Sequence, residues 1–472
     1  MARDRLLKNT FVYFLGVMAT RLVNFLFLPL YTSKISPEIY GYYDVVYSAL
    51  SVAIPSLFFM IWEVYLRFFL NGTDEEEKGS VTSTVVISAG VMLVVYLAVF
   101  YAVNLFFQIK DAFLISLIGT GWMLASLWQY GMRAYGRNRD YAITGVVATI
   151  ASAIVNLVMI LLLNKQAITL YLAQAASFFT IFAMSEARLK LLSKIRLRLF
   201  DWKLLRRMLV YGLPLLVNSV AFWFINYVSR PIINIQIGVE ANGYFSAASK
   251  FSMIIATVSQ IFFFAWQEEA FREANNDKLE GYMSDVMDQY IRLLLGGVCF
   301  GLPLLRIVLP FIIVNNSFNY AQAYPIVPVM IMMAVYSALS SFAGTAYSAR
   351  MKTNIIMYTT IAGGALSFSL AWFGAKPFGL MAVAVASAAG FLLVFLLRVA
   401  FSRKIVRLRL NWMMFLGLNL AAAAAIAAFY AESVWVQAAA SAAGFGLMLA
   451  LNRKLLGQAL RKAKGMLKPK QS

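Results

Sequence analysis

The sequence predicts an all-α integral membrane protein of about fourteen transmembrane helices, and three observations predict it. The first is composition: of 472 residues, 61% are hydrophobic and only 13% charged, with a mean hydropathy of +0.74. A soluble domain is roughly half apolar and about a quarter charged. A core holding this much apolar surface would leave almost no polar skin, so the solvent of most of the chain is lipid. The second is that apolar runs of about 18 to 29 residues recur along the whole chain, each able to cross roughly 30 Å of hydrocarbon at about 1.5 Å per helical residue. The third is the unequal sharing of basic residues between alternate loops.

Fourteen runs lie near residues 9–31, 40–63, 81–107, 112–132, 141–163, 168–186, 209–230, 243–267, 286–314, 322–349, 355–374, 378–400, 411–431 and 434–451. The first is too long and too close to the second for a cleaved signal peptide, and no small-residue cleavage site follows it, so it is expected to stay as a helix. An even number of spans puts both termini on one side. Of 41 Lys and Arg, 32 fall on that side, among them Arg3, Arg5, Lys8, Arg133, Arg137, Arg139, the run from Arg188 to Arg207, and the tail from Arg453 to Lys470. The opposite loops carry four: Lys34, Lys110, Lys165 and Lys376. The expectation is a plasma-membrane protein with both termini cytoplasmic. The net charge of +20 is then a topology signal, and no nucleic-acid partner is expected. The run RLKLLSKIRLRLFDWKLLRR reads as an amphipathic linker lying on anionic membrane lipids.

Internal repetition divides the chain. At an offset of 202, NFLFLPLYTSKISPEIYGYYD aligns with NYVSRPIINIQIGVEANGYFS, matching Pro29 to Pro231, Glu38 to Glu240, Gly41 to Gly243 and Tyr42 to Tyr244. At an offset of 213, Gly131 pairs with Gly344 and Arg137 with Arg350. The predicted organisation is an N-lobe over residues 1–187 with spans one to six, a basic linker over 188–208 and a C-lobe over 209–402 with spans seven to twelve. Accessory spans thirteen and fourteen follow over 403–451, then a basic tail over 452–472. Six spans per lobe keep the same orientation, so the lobes are expected to be related by a pseudo-two-fold axis along the membrane normal, as in transporters that rock one half against the other. Within the first repeat, Pro37 ends the preceding helix after Ser36, Glu38 suits the first turn of the next helix, and Gly41 permits a close backbone approach.

Several chemistries are excluded. With no histidine and a single cysteine, Cys299, there is no Ser-His-Asp triad, no intramolecular disulfide and no Cys/His cluster, so neither metal nor cofactor is expected. Ionisable residues inside spans carry more information, because even a lenient scale charges about 2.5 to 3.5 kcal/mol for Arg, Lys or Asp at a helix centre. Arg21 is the deepest cation, about 18 Å into a helix of roughly 33 Å. Lys250 lies in span eight and Arg230 near the outer end of span seven, while Arg292 and Arg306 lie toward the two ends of span nine. Asp44 and Glu63 on span two are the candidate counter-ions and ion-coupling sites. Asn24, Asn218 and Asn226 would extend a wet surface beside the cations, and Arg230, Arg292 and Arg306 also read as internal ion-pair or snorkelling residues. Tyr40, Tyr42, Tyr43 and Trp62 read as interfacial belts. The acidic run DEEE at 74–77 reads as solvated on the cytoplasmic face.

Three stretches, NTFVYFLGVMATRLVNFLFLPLYTSKISPEIYGYYDVVYS, YGLPLLVNSVAFWFINYVSRPIINIQIGVEANGYFSAASKFS with FFFAWQ, and NNSFNYAQAYPIVPVMIMMAV, closely resemble the bacterial polysaccharide transporter family, the Wzx-type flippases of the MATE/MOP superfamily. The resemblance covers residues 5 to 410, and the last two spans match in count more than in sequence. Ser229 departs from the pattern, since relatives often carry an acidic residue before the arginine that matches Arg230. The resemblance implies translocation of a polyprenyl-diphosphate-linked oligosaccharide, carried on undecaprenol, from the inner to the outer leaflet, with polysaccharide-assembly proteins as partners. It also implies a central cationic cavity lined by helices one, two, seven and eight, the helices on which Arg21 and Lys250 fall. Two rival readings stay open at this point: an ion-coupled multidrug exporter on the same fold, which would favour a carboxylate in its cavity, and a membrane glycosyltransferase or polymerase, which would show a large extramembrane loop.

Overall fold

The computed structural model describes residues 25–163, 166–272, 279–313, 318–350, 352–403 and 407–467. These residues are helical throughout, with no strand among them. In chain order the helices are α1 (Leu28–Lys34), α2 (Pro37–Leu57), α3 (Ile61–Asn71), α4 (Glu75–Phe107), α5 (Ala112–Ala134), α6 (Asn138–Leu157), α7 (Gln166–Leu189) and α8 (Leu191–Lys194). They continue as α9 (Trp202–Tyr227), α10 (Ser229–Gln236), α11 (Val239–Arg272), α12 (Leu279–Ile312), α13 (Val327–Ala349), α14 (Thr353–Ser402), α15 (Trp412–Tyr430) and α16 (Val434–Leu467). Among the described residues, ten helices are long and apolar enough to cross a membrane, or eleven when α2 and α3 count as one bent span. The protein is a multi-pass membrane protein.

Local chemistry sets the helix boundaries. Ser36 caps α2, its hydroxyl accepting from Ile39 N at 3.4 Å, with Pro37 at the first helical position and Glu38 in the first turn. Asp74 caps α4 by accepting from Glu77 N at 2.7 Å, while the Glu77 carboxylate accepts from Thr73 N at 2.9 Å. The DEEE run therefore supplies the N-cap and acidic first turn of a 33-residue helix, besides being solvated. Asp74→Ala is expected to cost about 1 kcal/mol, read as a lowered midpoint in thermal unfolding of the purified protein.

Two features depart from a simple succession of straight spans. Pro55 sits inside α2 and has no N–H to give the preceding turn; Phe59 and Met60 then take positive φ, and α3 restarts at 41° to α2. Spans eleven and twelve run together as the 50-residue α14, interrupted only at Gly379, where φ is 63°.

Two compact units emerge, one comprising residues 1–234 with 238–243 and the other 235–237 with 244–472. In the first, α5 packs on α7, α7 on α6, and α9 on α2, α3 and α4. Its core holds Ile54, Phe58, Trp62, Tyr65, Leu127, Trp128 and Tyr171. Tyr40 and Trp62 are 3% and 5% exposed, so they are core residues of this unit instead of the interfacial belt residues expected. In the second unit α13 packs along α14, and α12 packs against both α15 and α16, joined to the latter by the Ser441 hydroxyl donating to Phe300 O at 3.1 Å.

The basic segment after α7 is not one amphipathic helix. It forms the single turn α8, a 3-10 turn at Leu197–Leu199, and the first turns of α9, which begins at Trp202. Its backbone is fastened to hydroxyls of α4: Arg196 N and Asp201 N donate to Ser83 and Thr84 at 3.1 Å each, and Ser80 donates to Leu199 O at 2.9 Å. Glu186 ties it from the other side by accepting from Leu191 N at 2.9 Å and from Trp128 Nε1 at 2.7 Å. Leu197 and Trp202 are left exposed among the exposed cations Arg196, Arg198 and Lys203.

Candidate functional site

Arg21 and Asn24 lie outside the described residues, as does the Asn218 side chain. Asp44, Asn226 and Arg230 come together in the first unit. Arg230, in the first turn of α10, donates through Nε to Asp44 Oδ2 at 3.3 Å and through Nη1 to Asn226 O at 2.9 Å. Its guanidinium also lies over the Tyr227 ring, 5.1 Å from the centroid. The Arg230 and Asp44 side chains are only 10% and 19% exposed, so the pair sits in a low-dielectric setting where each charge needs the other. Ser229 adds only a long contact, its hydroxyl 3.4 Å from Arg230 Nη1. The counter-charge that residue 229 lacks comes from Asp44, on a helix remote in sequence.

Asn242, in the first turn of α11, completes the cluster. Its Nδ2 donates to Gly41 O at 2.9 Å and approaches Asp44 Oδ2 at 3.4 Å. Nearby, Trp223 Nε1 donates to Ser48 O at 2.7 Å, fastening α9 to α2. Along α2, Tyr43 and Tyr47 stack at 6.0 Å, and Tyr47 stacks on Trp122 at 5.1 Å.

Glu63 belongs to a different group. In the first turn of α3, beyond the bend, it accepts from the Tyr130 hydroxyl at 3.2 Å, and Arg133 lies over the Tyr130 ring at 5.0 Å. Lys250 is half-buried on α11 in the second unit. Arg292 Nε contacts Met414 Sδ at 3.0 Å, and Arg306 lies over the rings of Tyr324 and Phe429 at 5.2 and 5.8 Å, contacts with a thioether and with aromatic rings that differ from the ion pairs or snorkelling expected.

The structure adds a cation that the sequence did not single out, near the end of span twelve. Arg398 is 6% exposed inside the second unit. Its Nη1 donates to Ser340 O at 2.7 Å, its Nη2 to Thr360 Oγ1 at 2.9 Å and its Nε to Thr359 Oγ1 at 3.1 Å. The Tyr347 hydroxyl donates to its carbonyl oxygen. Among the described residues no carboxylate pairs with it, so neutral dipoles from α13 and α14 carry the charge.

No protein-family model and no curated protein sequence matches the chain. Solved structures do match. The lipid II flippase MurJ in an inward closed conformation is similar with a TM-score of 0.72 at 13% identity, over 94% of this chain and all of that one. An inward-facing multidrug resistance MATE family transporter of the MOP superfamily is similar at 0.65 with 14% identity, over 87% of this chain and 96% of that one. A MOP superfamily transporter from Pyrococcus furiosus, described as having a binding pocket of reverse polarity, is similar at 0.57 with 14% identity, over 85% of this chain and 95% of that one. At these identities the likeness is one of fold. The class is thus defined at the level of fold: among the described residues an all-helical, multi-pass membrane protein with a fold like that of MurJ and the MATE transporters.

Proposed function

We propose that this protein is a transporter of the MOP superfamily, and specifically a flippase that moves a polyprenyl-diphosphate-linked oligosaccharide from the inner to the outer leaflet of the plasma membrane. The observation that carries this reading is the likeness to the lipid II flippase MurJ over 94% of the chain, joined to the cations that the sequence sets inside its spans. The reading takes the lobes over residues 1–187 and 209–402 as the two halves that alternate in access, with the accessory spans outside them and both termini in the cytoplasm. No catalysis is required of it.

Physical chemistry makes such a protein necessary. An oligosaccharide with about 15 hydroxyls, at roughly 4 to 8 kcal/mol each for unpaired transfer into alkane, faces a barrier above about 60 kcal/mol. A wet path through the protein would keep the hydroxyls hydrogen-bonded while the polyprenyl tail stays in lipid. Arg21 and Arg230 offer planar forks suited to a diphosphate, Lys250 a further point charge, and Asn24 and Asn226 amides for hydroxyls. Asp44 and Glu63 are the carboxylates available for a coupling ion. Moving about two negative charges outward from a negative interior releases about 4.6 kcal/mol per 100 mV. The MATE-like fold also suits a multidrug exporter, but the in-span charge here is mostly cationic, which disfavours organic cations.

The test is transfer of a fluorescent polyprenyl-diphosphate oligosaccharide across proteoliposomes. Outward transfer is expected to exceed that of protein-free vesicles and to accelerate when the interior is made negative. Transfer no faster than the protein-free rate, with export of an organic cation instead, replaces this reading with the exporter.

A further inference from the structure

The two turns that the sequence pairs as repeats touch each other, and they do so reciprocally. A Cβ on Gly41 would strike the Val239 carbonyl oxygen and lie 2.6 Å from Gly243 N. A Cβ on Gly243 would strike the Pro37 carbonyl oxygen and lie 2.6 Å from its carbonyl carbon. Under the offset of 202, Gly41 corresponds to Gly243 and Pro37 to Val239, so each contact is the repeat image of the other. Only glycine admits backbones this close. The polar part of the contact is not symmetric. Asp44, Asn242 and Arg230 correspond to Ser246, Tyr40 and Leu28, so the acid comes from one repeat, and the amide and guanidinium come from the other. All the residues in contact lie in the first unit, which α11 leaves after Gly243.

We propose that this pair of turns is a latch on the outer side of the membrane: a symmetric glycine contact locked by Asp44, which holds Asn242 and Arg230 at once. The outer assignment follows the charge asymmetry of the loops. The latch clamps the first turn of α11 onto α2 and must part before the outer side opens. Arg230 is committed to Asp44 while the latch is shut, so a phosphate reaches this guanidinium by taking the place of the carboxylate. Arrival of an anionic head group thereby releases the lock. This last step rests on the flippase reading; the latch itself does not.

The experiment is hydrogen exchange by mass spectrometry on the full-length protein in lipid nanodiscs, following peptides over residues 37–44 and 238–244. Asp44→Asn and Gly41→Ala are each expected to speed exchange in both turns together, by about tenfold or more, since a charge-assisted contact or a backbone approach is lost. The charge-exchanged pair Asp44→Arg with Arg230→Asp is expected to slow exchange only part of the way back from Asp44→Asn, because it regains the ion pair but leaves Asn242 Nδ2 facing a donor, whereas a merely structural defect would show no recovery. Inorganic pyrophosphate is expected to speed both turns in the wild type and to add nothing in Asp44→Asn. Unchanged exchange in Asp44→Asn, or loosening of one turn without the other, overturns the latch. Loosening in the variants with no response to pyrophosphate overturns the displacement step. A latch that behaves as expected in a protein that retains no polyprenyl-diphosphate lipid would remove the flippase reading and leave the latch standing.

Discussion

Arg398→Ala is expected to destabilise the protein by about 3 kcal/mol or more, the largest effect of any single substitution on its stability. The guanidinium donates to Ser340 O, Ile356 O, Thr359 Oγ1 and Thr360 Oγ1, the longest of these contacts being 3.4 Å to Ile356 O, and truncation removes all four. Hydrogen bonds to a charged group are worth about 1.5 to 3 kcal/mol each, and the void left by a large side chain adds to that. Arg398→Lys is expected to recover only part of the loss, because one ammonium on a flexible stem cannot reproduce a planar fork that addresses α13 and the first arm of α14 together. The measurement is thermal unfolding of purified protein, with the yield of folded protein from membranes alongside. A variant that unfolds at the wild-type midpoint would mean that the network contributes nothing net.

Arg21→Ala is expected to abolish translocation while insertion and yield stay at wild-type levels. At about 18 Å into a helix of roughly 33 Å, the charge is too deep for easy snorkelling, and at about 2.5 to 3.5 kcal/mol even on the lenient scale a cation there needs a use. Removing it relieves a cost of insertion, which is why the expected loss is in transport alone. On the proposed function Arg21 serves the passenger, whereas Arg398 holds the fold. The assay is the proteoliposome transfer described above, normalised to protein incorporated. Normal transfer by the variant would remove Arg21 from the path.

The spans were legible because membrane crossing imposes length and apolarity together, which composition and period reveal without tertiary information. The turn at Pro37, the place of Glu38 in the first turn of the next helix and the close approach at Gly41 were legible for local reasons of the same kind. What local signals do not carry is the choice of partner across distant segments. Asp44 reads as a counter-ion from sequence, yet its cation lies 186 residues away, and the serine beside Arg230 gave no hint of it. Asn242 was hidden as one polar residue in a turn. Arg398 stands four residues before the end of α14, where an arginine ordinarily emerges into water, and only the packing of Ser340 and Thr359 around it reveals burial. Tyr40 and Trp62 misled in the opposite sense, because an aromatic near a helix end serves a belt or a core equally well.

The central claim is that a diphosphate lipid is the passenger, and native mass spectrometry of the protein extracted from its own membranes tests it most directly. The masses of retained lipids are compared between wild type and Arg21→Ala. The account predicts a polyprenyl-diphosphate sugar on the wild type that is lost from the variant. Wild-type protein that carries organic cations and no such lipid would contradict it.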